Sequence, residues 1–467
     1  MPQKALLSIV VLGLASACQP ARSAPHRLAA AAPVTRPAPG ADLDGPPPLP
    51  RKPERHARGR TAQPLDLGAD RPAVPIAVPV PPRGGAAGFS FGDDRRGWVV
   101  RIPESQQLPA VAYGDGRVYV SGGFESVSFY ALDAGDGHIV WSQHGLEDNG
   151  PTAPVYDNGD VIFNTESCTL FVVDAKTGKK LWFKYLGDPT LAQPAVADGL
   201  VFAAHPGQTG PEFSAYKLRS GTEVWTRTVG GELLAAPIID GDSVYVSTIQ
   251  GRTFRFLRAS GKQMWSQALG ATTAPWIVGA ELYLSRRAGD REEQVVVSAA
   301  TGAVLRRHGA TPAKYIADVP SSLGNWKQVW AFEGSRPAVV GGVRYVAMGG
   351  EVEASDPRTG ERLWVRRAAH AGNSRALGTV AVAGSQIVIA TRSGQIFGLD
   401  VDTGYTLWAY DLGHAIAAEP IVARGWVYAS TTDGQVIALN VADSSLDGWH
   451  MFGGNPRHNG PVTGPRI

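Results

Sequence analysis

Cysteine is almost missing from this chain: there are two in 467 residues, Cys18 and Cys168. So few sulfurs exclude a disulfide framework, a Cys-x-x-Cys-His haem attachment and a thiolate zinc cage. The ten histidines are scattered, and the nearest tail pair, His450 and His458, stands eight apart, which is poor metal-ligand spacing. Long apolar runs are short as well, since "ALLSIVVLGLA" at 5–15 cannot span a bilayer permanently. No phosphate-cradling glycine loop follows a strand and opens a helix. Charge is sparse, at 18% of residues with a net of +2. Residues 19–90 hold ten Lys/Arg against five Asp/Glu; with Lys4 set aside, residues 91–467 are left at −4. A slightly acidic folded part is a poor match for nucleic acid.

Repetition is abundant instead. An apolar run, a small polar turn and a tryptophan recur in "YALDAGDGHIVW", "FVVDAKTGKKLW", "SAYKLRSGTEVW", "FRFLRASGKQMW", "VVVSAATGAVLR", "EASDPRTGERLW" and "FGLDVDTGYTLW". The turn glycines Gly137, Gly178, Gly221, Gly261, Gly302, Gly360 and Gly404 are separated by 41, 43, 40, 41, 58 and 44 residues. That period marks a propeller, solenoid or array. Between these turns lies a second motif, two alternating stretches around a Gly/Asp turn, which reads as a β-hairpin. It starts at Pro109, Pro154, Pro194, Pro237, Pro275, Pro337, Val380 and Pro420.

Eight hairpins against seven of these glycine turns predict a closure. The last copy, "VIALNVADSS", has no Trp strand after it, and an orphan Trp strand, "GWVVRIP", precedes the first. Pairing the two completes an all-β, eight-bladed β-propeller of four-stranded antiparallel blades over 91–445, closed by its N-terminal strand and without open sheet edges at the seam. Trp98, Trp141, Trp182, Trp225, Trp265, Trp364 and Trp408 are expected to wedge between blades, each burying about 150–250 Å². Arg306 occupies the remaining slot, so that junction is expected to be the weakest, beside an insertion at about 310–332.

The TG-x-x-x-Trp turn with the preceding Leu-Asp resembles the PQQ-like eight-bladed propeller repeat. Pyrroloquinoline-quinone (PQQ) alcohol dehydrogenases and BamB-like lipoproteins of the outer-membrane barrel-assembly machine share it. The resemblance covers about 91–445 and implies the fold; one repeat serves enzymes and scaffolds alike. The quinoprotein enzymes use a vicinal cysteine pair and a Ca²⁺ held by Glu and Asn, and no Cys-Cys exists here. Asp133, Asp174, Asp356 and Asp400 recur at one position before the turn, which reads as turn chemistry rather than a convergent site. No catalytic, metal or cofactor-binding residue is assigned, and no cofactor is expected; PQQ with Ca²⁺ is the alternative.

The N-terminus has the layout of a bacterial export signal: Lys4, an apolar core, then "ASAC" ending at Cys18. It resembles a lipoprotein signal, 1–17, in which Cys18 becomes the acylated first residue, and this implies an outer-membrane-anchored protein facing the periplasm. Residues 18–90, rich in proline and alanine, read as a disordered tether. Cys168 reads as a small half-buried hydrophobe.

Partner binding is expected at the insertion, where Tyr315, Trp326, Trp330 and Phe332 cluster. Trp326 and Trp330 share a face of a helical turn, while Trp326, Gln328, Trp330 and Phe332 alternate as in a strand. The same aromatics could instead cover the junction near Arg306. The tail, 446–467, resembles a segment flanking many PQQ-like propellers, with Trp449 and Phe452 as a packing plug. The reading is a noncatalytic periplasm-facing scaffold, a monomer within a membrane protein complex and BamB-like in barrel assembly. A PQQ-dependent oxidoreductase and a PQQ- or carbohydrate-binding propeller are the alternatives.

Overall fold

The computed structural model describes residues 65–92, 95–103, 107–187, 193–233, 236–288, 291–312, 337–348, 351–367, 380–416 and 418–447, all within one compact unit, Ala57–Ile467. These residues form eight sheets. Blade 1 sets the pattern, with Ala112–Gly114, Arg117–Ser121, Phe129–Asp133 and Ile139–Gln143 pairing antiparallel in order. Blades 2 to 7 follow along the chain over 155–185, 195–228, 238–268, 276–312, 338–367 and 381–411. The three-residue first strands lie innermost, and most of them contact the first strand of the next blade.

Local chemistry explains the strands. The first hairpin of blades 1, 2, 3 and 8 turns through Asp115-Gly116, Asn158-Gly159, Asp198-Gly199 and Arg424-Gly425, and all eight residues have positive φ. Two-residue turns of this kind match the right-handed twist of the strands they join. In blades 1 to 7 the outer strand bulges at the residue before the Trp slot: Val140, Leu181, Val224, Met264, Leu305, Leu363 and Leu407 are skipped in the ladder. A bulge kinks its strand and re-aims the following side chain. Here it turns the Trp face toward the next blade.

Blade 8 is assembled from both ends of the chain. Ile421–Ala423, Trp426–Ser430 and Gln435–Asn440 are followed by Arg95–Arg101, which pairs antiparallel with the last of them and sets Trp98 opposite Ala438. The ring is closed by its N-terminal strand, as the strand count predicts.

The stretch before that strand differs from a structureless tether reaching residue 90. Residues 65–91 run along the rim and add a fifth strand to three successive blades. Leu65–Asp66 pairs parallel with the outer strand of blade 6, and Val74–Pro75 with that of blade 7. Ala86–Phe91 pairs antiparallel with Arg95–Arg101. The physical reason is borrowed order: a segment too apolar-poor to build a core can still lay its backbone on an existing sheet edge, where proline is tolerated. Ile76, Pro81 and Phe91 are its buried anchors. Asp70 caps the outer strand of blade 7, accepting hydrogen bonds from Thr406 N (2.7 Å) and Thr406 Oγ1 (2.8 Å). Burial opposes its charge, but the Thr406 bonds outweigh that and hold the carboxyl below its usual range.

Candidate functional site

The tryptophans build a repeated joint. A Cβ on the turn glycine of one blade would lie 2.4–2.9 Å from the preceding blade's indole in the pairs Gly137–Trp98, Gly178–Trp141, Gly221–Trp182, Gly261–Trp225, Gly302–Trp265 and Gly404–Trp364. Each of these indoles also donates Nε1–H to a carbonyl at the same turn. The acceptors are Ala134 (3.0 Å), Ala175 (2.9 Å), Leu218 (2.6 Å), Arg258 (2.8 Å), Ala299 (3.0 Å) and Val401 (3.0 Å). The joint therefore combines apolar burial with a satisfied polar atom, the arrangement a buried indole requires.

Two junctions depart from this. At blades 5 and 6, Arg306 stands in the Trp slot, opposite Val296, and forms a bidentate pair with Glu281 at 2.7 and 2.6 Å. Tyr283 donates to the same carboxylate at 2.6 Å. These bonds, Arg306 first, hold the Glu281 carboxyl down at about 2. The space over Gly360 is taken by His308, and the buried Trp276 on the inner strand donates to Val339 of blade 6 at 3.3 Å. At blades 7 and 8 the turn glycine is missing, so Trp408 donates to Gln386 Oε1 of its own blade at 2.8 Å. Gln386 in turn donates to Asp443, and Leu446, three residues on, is fully buried.

A second wedge went unread in the sequence. Two residues after two of the tryptophans stand Arg227 and Arg366, whose guanidiniums donate to the next blade's turn carbonyls. Arg227 reaches Gly261 (2.8 Å) and Ser260 (2.9 Å); Arg366 reaches Gly404 (2.7 Å) and Thr403 (3.2 Å). The Trp-x-Arg spacing was the available signal. Burial depresses the Arg366 pKa, while Asp70 works the other way.

The two disc faces differ. Antiparallel order puts the tight Gly turns on one face and the links between blades on the other. The outer strands ending at Tyr185, Thr228, Ala268, Pro312 and Asp411 and the inner strands starting at Ala195, Ile238, Trp276, Ala338 and Ile421 open on the link face. There Thr165, Thr248, Thr391 and Thr431 accept hydrogen bonds from the backbone N–H four residues on, at 2.8–3.3 Å, and stiffen the hairpin tips. Leading into the inner strands, Ala110, Ala153, Ala236, Ala274 and Ala418 are buried. Beside blade 2, Glu166 lies against Gly150, and burial, Asp148 and Glu125 push its carboxyl up to about 7.

Tyr315, Trp326, Trp330, Phe332, Cys18, Trp449 and Phe452 lie outside the described residues. The recurring aspartates cap their own turns: Asp133 accepts from Gly135 N, Asp174 from Thr177 N, Asp356 from Arg358 N and Asp400 from Thr403 N, at 2.7–2.9 Å. Asp133, Asp136 and His138 approach one another on the turn face, but Asp133 and Asp136 already serve the backbone there. Cys168 is buried at the start of Thr169–Asp174.

A family profile described as outer membrane protein assembly factor BamB matches residues 83–308 and 325–459. BamB of Yersinia pestis is 24% identical over 329 residues, covering 62% of this chain and 77% of that protein. A quinoprotein ethanol dehydrogenase of Pseudomonas putida is 33% identical over 163 residues, 30% of this chain and 24% of the enzyme. Among solved structures, BamB from Moraxella catarrhalis superposes with a TM-score of 0.56 at 18% identity, over 76% of this chain and 98% of that one. A europium-containing methanol dehydrogenase superposes at 0.54 and 14%, over 76% and 92%. The structural likenesses show the propeller fold.

Proposed function

The chain belongs to the family of outer membrane protein assembly factor BamB, and from that premise we propose that it is a noncatalytic, lipid-anchored scaffold facing the periplasm that assists outer-membrane protein assembly. The observation that carries this reading is the asymmetry of the disc. Every link that varies in length opens on one face, while the other is sealed by short turns capped by their own side chains. A rigid scaffold presenting loops on one side is suited to gripping a partner. Lipidation at Cys18 would hold the protein at a membrane without a spanning helix.

The named assembly role of the BamB relatives supports a barrel-forming insertase as partner. Tyr315, Trp326, Trp330 and Phe332 are proposed as contacts, because both described ends of their connection, Pro312 and Ala338, open on the link face. The test is crosslinked co-purification from membranes. The insertase should accompany the intact protein and be lost with Trp326→Ala/Trp330→Ala. Recovery of some other dominant partner without the insertase overturns the assembly role.

The quinoprotein alternative has one observation in its favour, the 33% identical stretch shared with an ethanol dehydrogenase. Calorimetry with PQQ and Ca²⁺ separates the two readings. Saturable micromolar binding would reverse the order.

A further inference from the structure

We propose that the cleft between blades 4 and 5 is a binding site for a small carboxylic acid, its carboxylate held by Arg286 and Arg307 and its short hydrocarbon part laid against Leu269, Val295 and Val304.

The cleft follows from strand alternation. Arg306 and Arg307 are neighbours on the outer strand of blade 5, so their side chains leave opposite faces of the sheet. Arg306 turns toward blade 6 and is taken up by Glu281. Arg307 stands opposite Val295, and one row along the same face Arg286 stands opposite Glu293. This face looks at blade 4, whose outer strand and following link contribute Gln267 and Leu269. Arg286, Arg307, Gln267, Leu269, Val295 and Val304 all line a cleft of about 210 Å³.

Its donors are uncommitted. Arg286 uses only Nε, on Glu293 at 3.0 Å, and its two terminal nitrogens have no partner among the described residues. Arg307 is exposed and makes no hydrogen bond or ion pair among them. The side-chain amide of Gln267 is free in the same sense. Guanidinium forks match a carboxylate through paired N–H donors.

Charge and shape narrow the ligand. Two guanidiniums against the Glu293 carboxylate leave one positive charge at the cleft, which suits a monoanion. Arg255, on the same side of blade 4, is engaged with Ser243 Oγ at 2.9 Å and the Ala300 carbonyl at 3.0 Å and does not line the cleft. Leu269 and Val295 are buried, and Val304 is 41% exposed at the wall. A few placed polar groups on an apolar lining are the usual make-up of a small-molecule site. At about 30 Å³ for each water-sized group, the cleft has room for about seven non-hydrogen atoms, the size of valerate. A phosphate would bring no hydrocarbon to these walls.

The test is saturation-transfer NMR on the purified full chain with valerate, with valeramide as the uncharged probe of the same shape. Valerate should bind saturably and valeramide at least about tenfold more weakly. Arg307→Gln should weaken valerate by about tenfold, and Val304→Trp, which fills the cleft and keeps both arginines, should abolish binding. Arg392→Gln, at an exposed arginine of blade 7, should leave it unchanged. Arg286→Gln should weaken it too; Arg307→Gln, at the exposed position, keeps the result readable if that variant unfolds. A bromine-tagged valerate soaked into crystals should give its anomalous peak between blades 4 and 5. No saturable binding, equal binding of valeramide, equal loss in Arg307→Gln and Arg392→Gln, tighter binding of inorganic phosphate or a peak elsewhere each overturn the proposal. Neither insertase nor membrane enters this assay, so its outcome is separable from that of the co-purification.

Discussion

The indole of Trp98 lies so close over Gly137 that a methyl group on that glycine would stand 2.4 Å from Cε3. Trp98 belongs to the N-terminal strand and Gly137 to blade 1, so this contact, together with the 3.0 Å bond to Ala134, ties blade 8 to blade 1 across the seam. Trp98→Ala should lower stability by about 3–5 kcal/mol, as large buried rings do. Gly137→Ala adds both a clash and an L-residue at φ +78°. Both variants should show a lower denaturant midpoint. A wild-type midpoint in either would mean that the seam is not held by this joint.

The rim strap separates two contributions of the N-terminus. A chain beginning at residue 86 keeps Ala86–Phe91 and Arg95–Arg101 but loses the fifth strands of blades 6 and 7. Its melting point should fall modestly, with faster amide exchange confined to Arg362–Arg367 and Thr406–Asp411. A chain beginning at residue 103 loses the closing strand and should melt far lower and aggregate through the opened edges. Equal melting of the two would contradict closure by Arg95–Arg101.

Acid should act first at the junction of blades 5 and 6. The Glu281 carboxyl sits at about 2, below its ordinary 4.5. A depressed carboxylate contributes stability that is present above pH 4.5 and disappears as the pH falls through about 2. Glu281→Gln should cost about 1 kcal/mol at neutral pH, and the difference from wild type should vanish near pH 2. A pH-independent difference would show that the ion pair does not carry it.

Glu166 gives the opposite sign. Burial, then Asp148 and Glu125, raise its carboxyl to about 7. Its penalty is absent below the ordinary 4.5 and grows as the pH rises through 7. Glu166→Gln should therefore raise the melting temperature at pH 8 and leave it unchanged at pH 4. The reverse pattern would place a cation-stabilised carboxylate there.

How much could be read beforehand follows from the range of each interaction. Blade number, turn glycines and the closing strand were legible because each is written in local spacing, and an indole at a fixed distance from its turn carries its own signature. The strap was not legible. Residues 65–91 contain little apolar periodicity, and the order of Leu65–Asp66 and Val74–Pro75 comes from sheet edges supplied more than three hundred residues later. The Arg306–Glu281 pair was hidden for a similar reason. The sequence showed only a missing tryptophan, and the compensating carboxylate lies 25 residues back, on a strand not adjacent to it.

The amino-acid sequence by itself determined a ring of eight blades locked by indoles, since the repeat period, the alternation and the glycine turns act through neighbours along the chain. Tertiary structure alone decided which edges the strap covers and how the two irregular junctions are satisfied. Backbone pairing across a sheet edge depends on which strands arrive side by side, and no local pattern records that meeting.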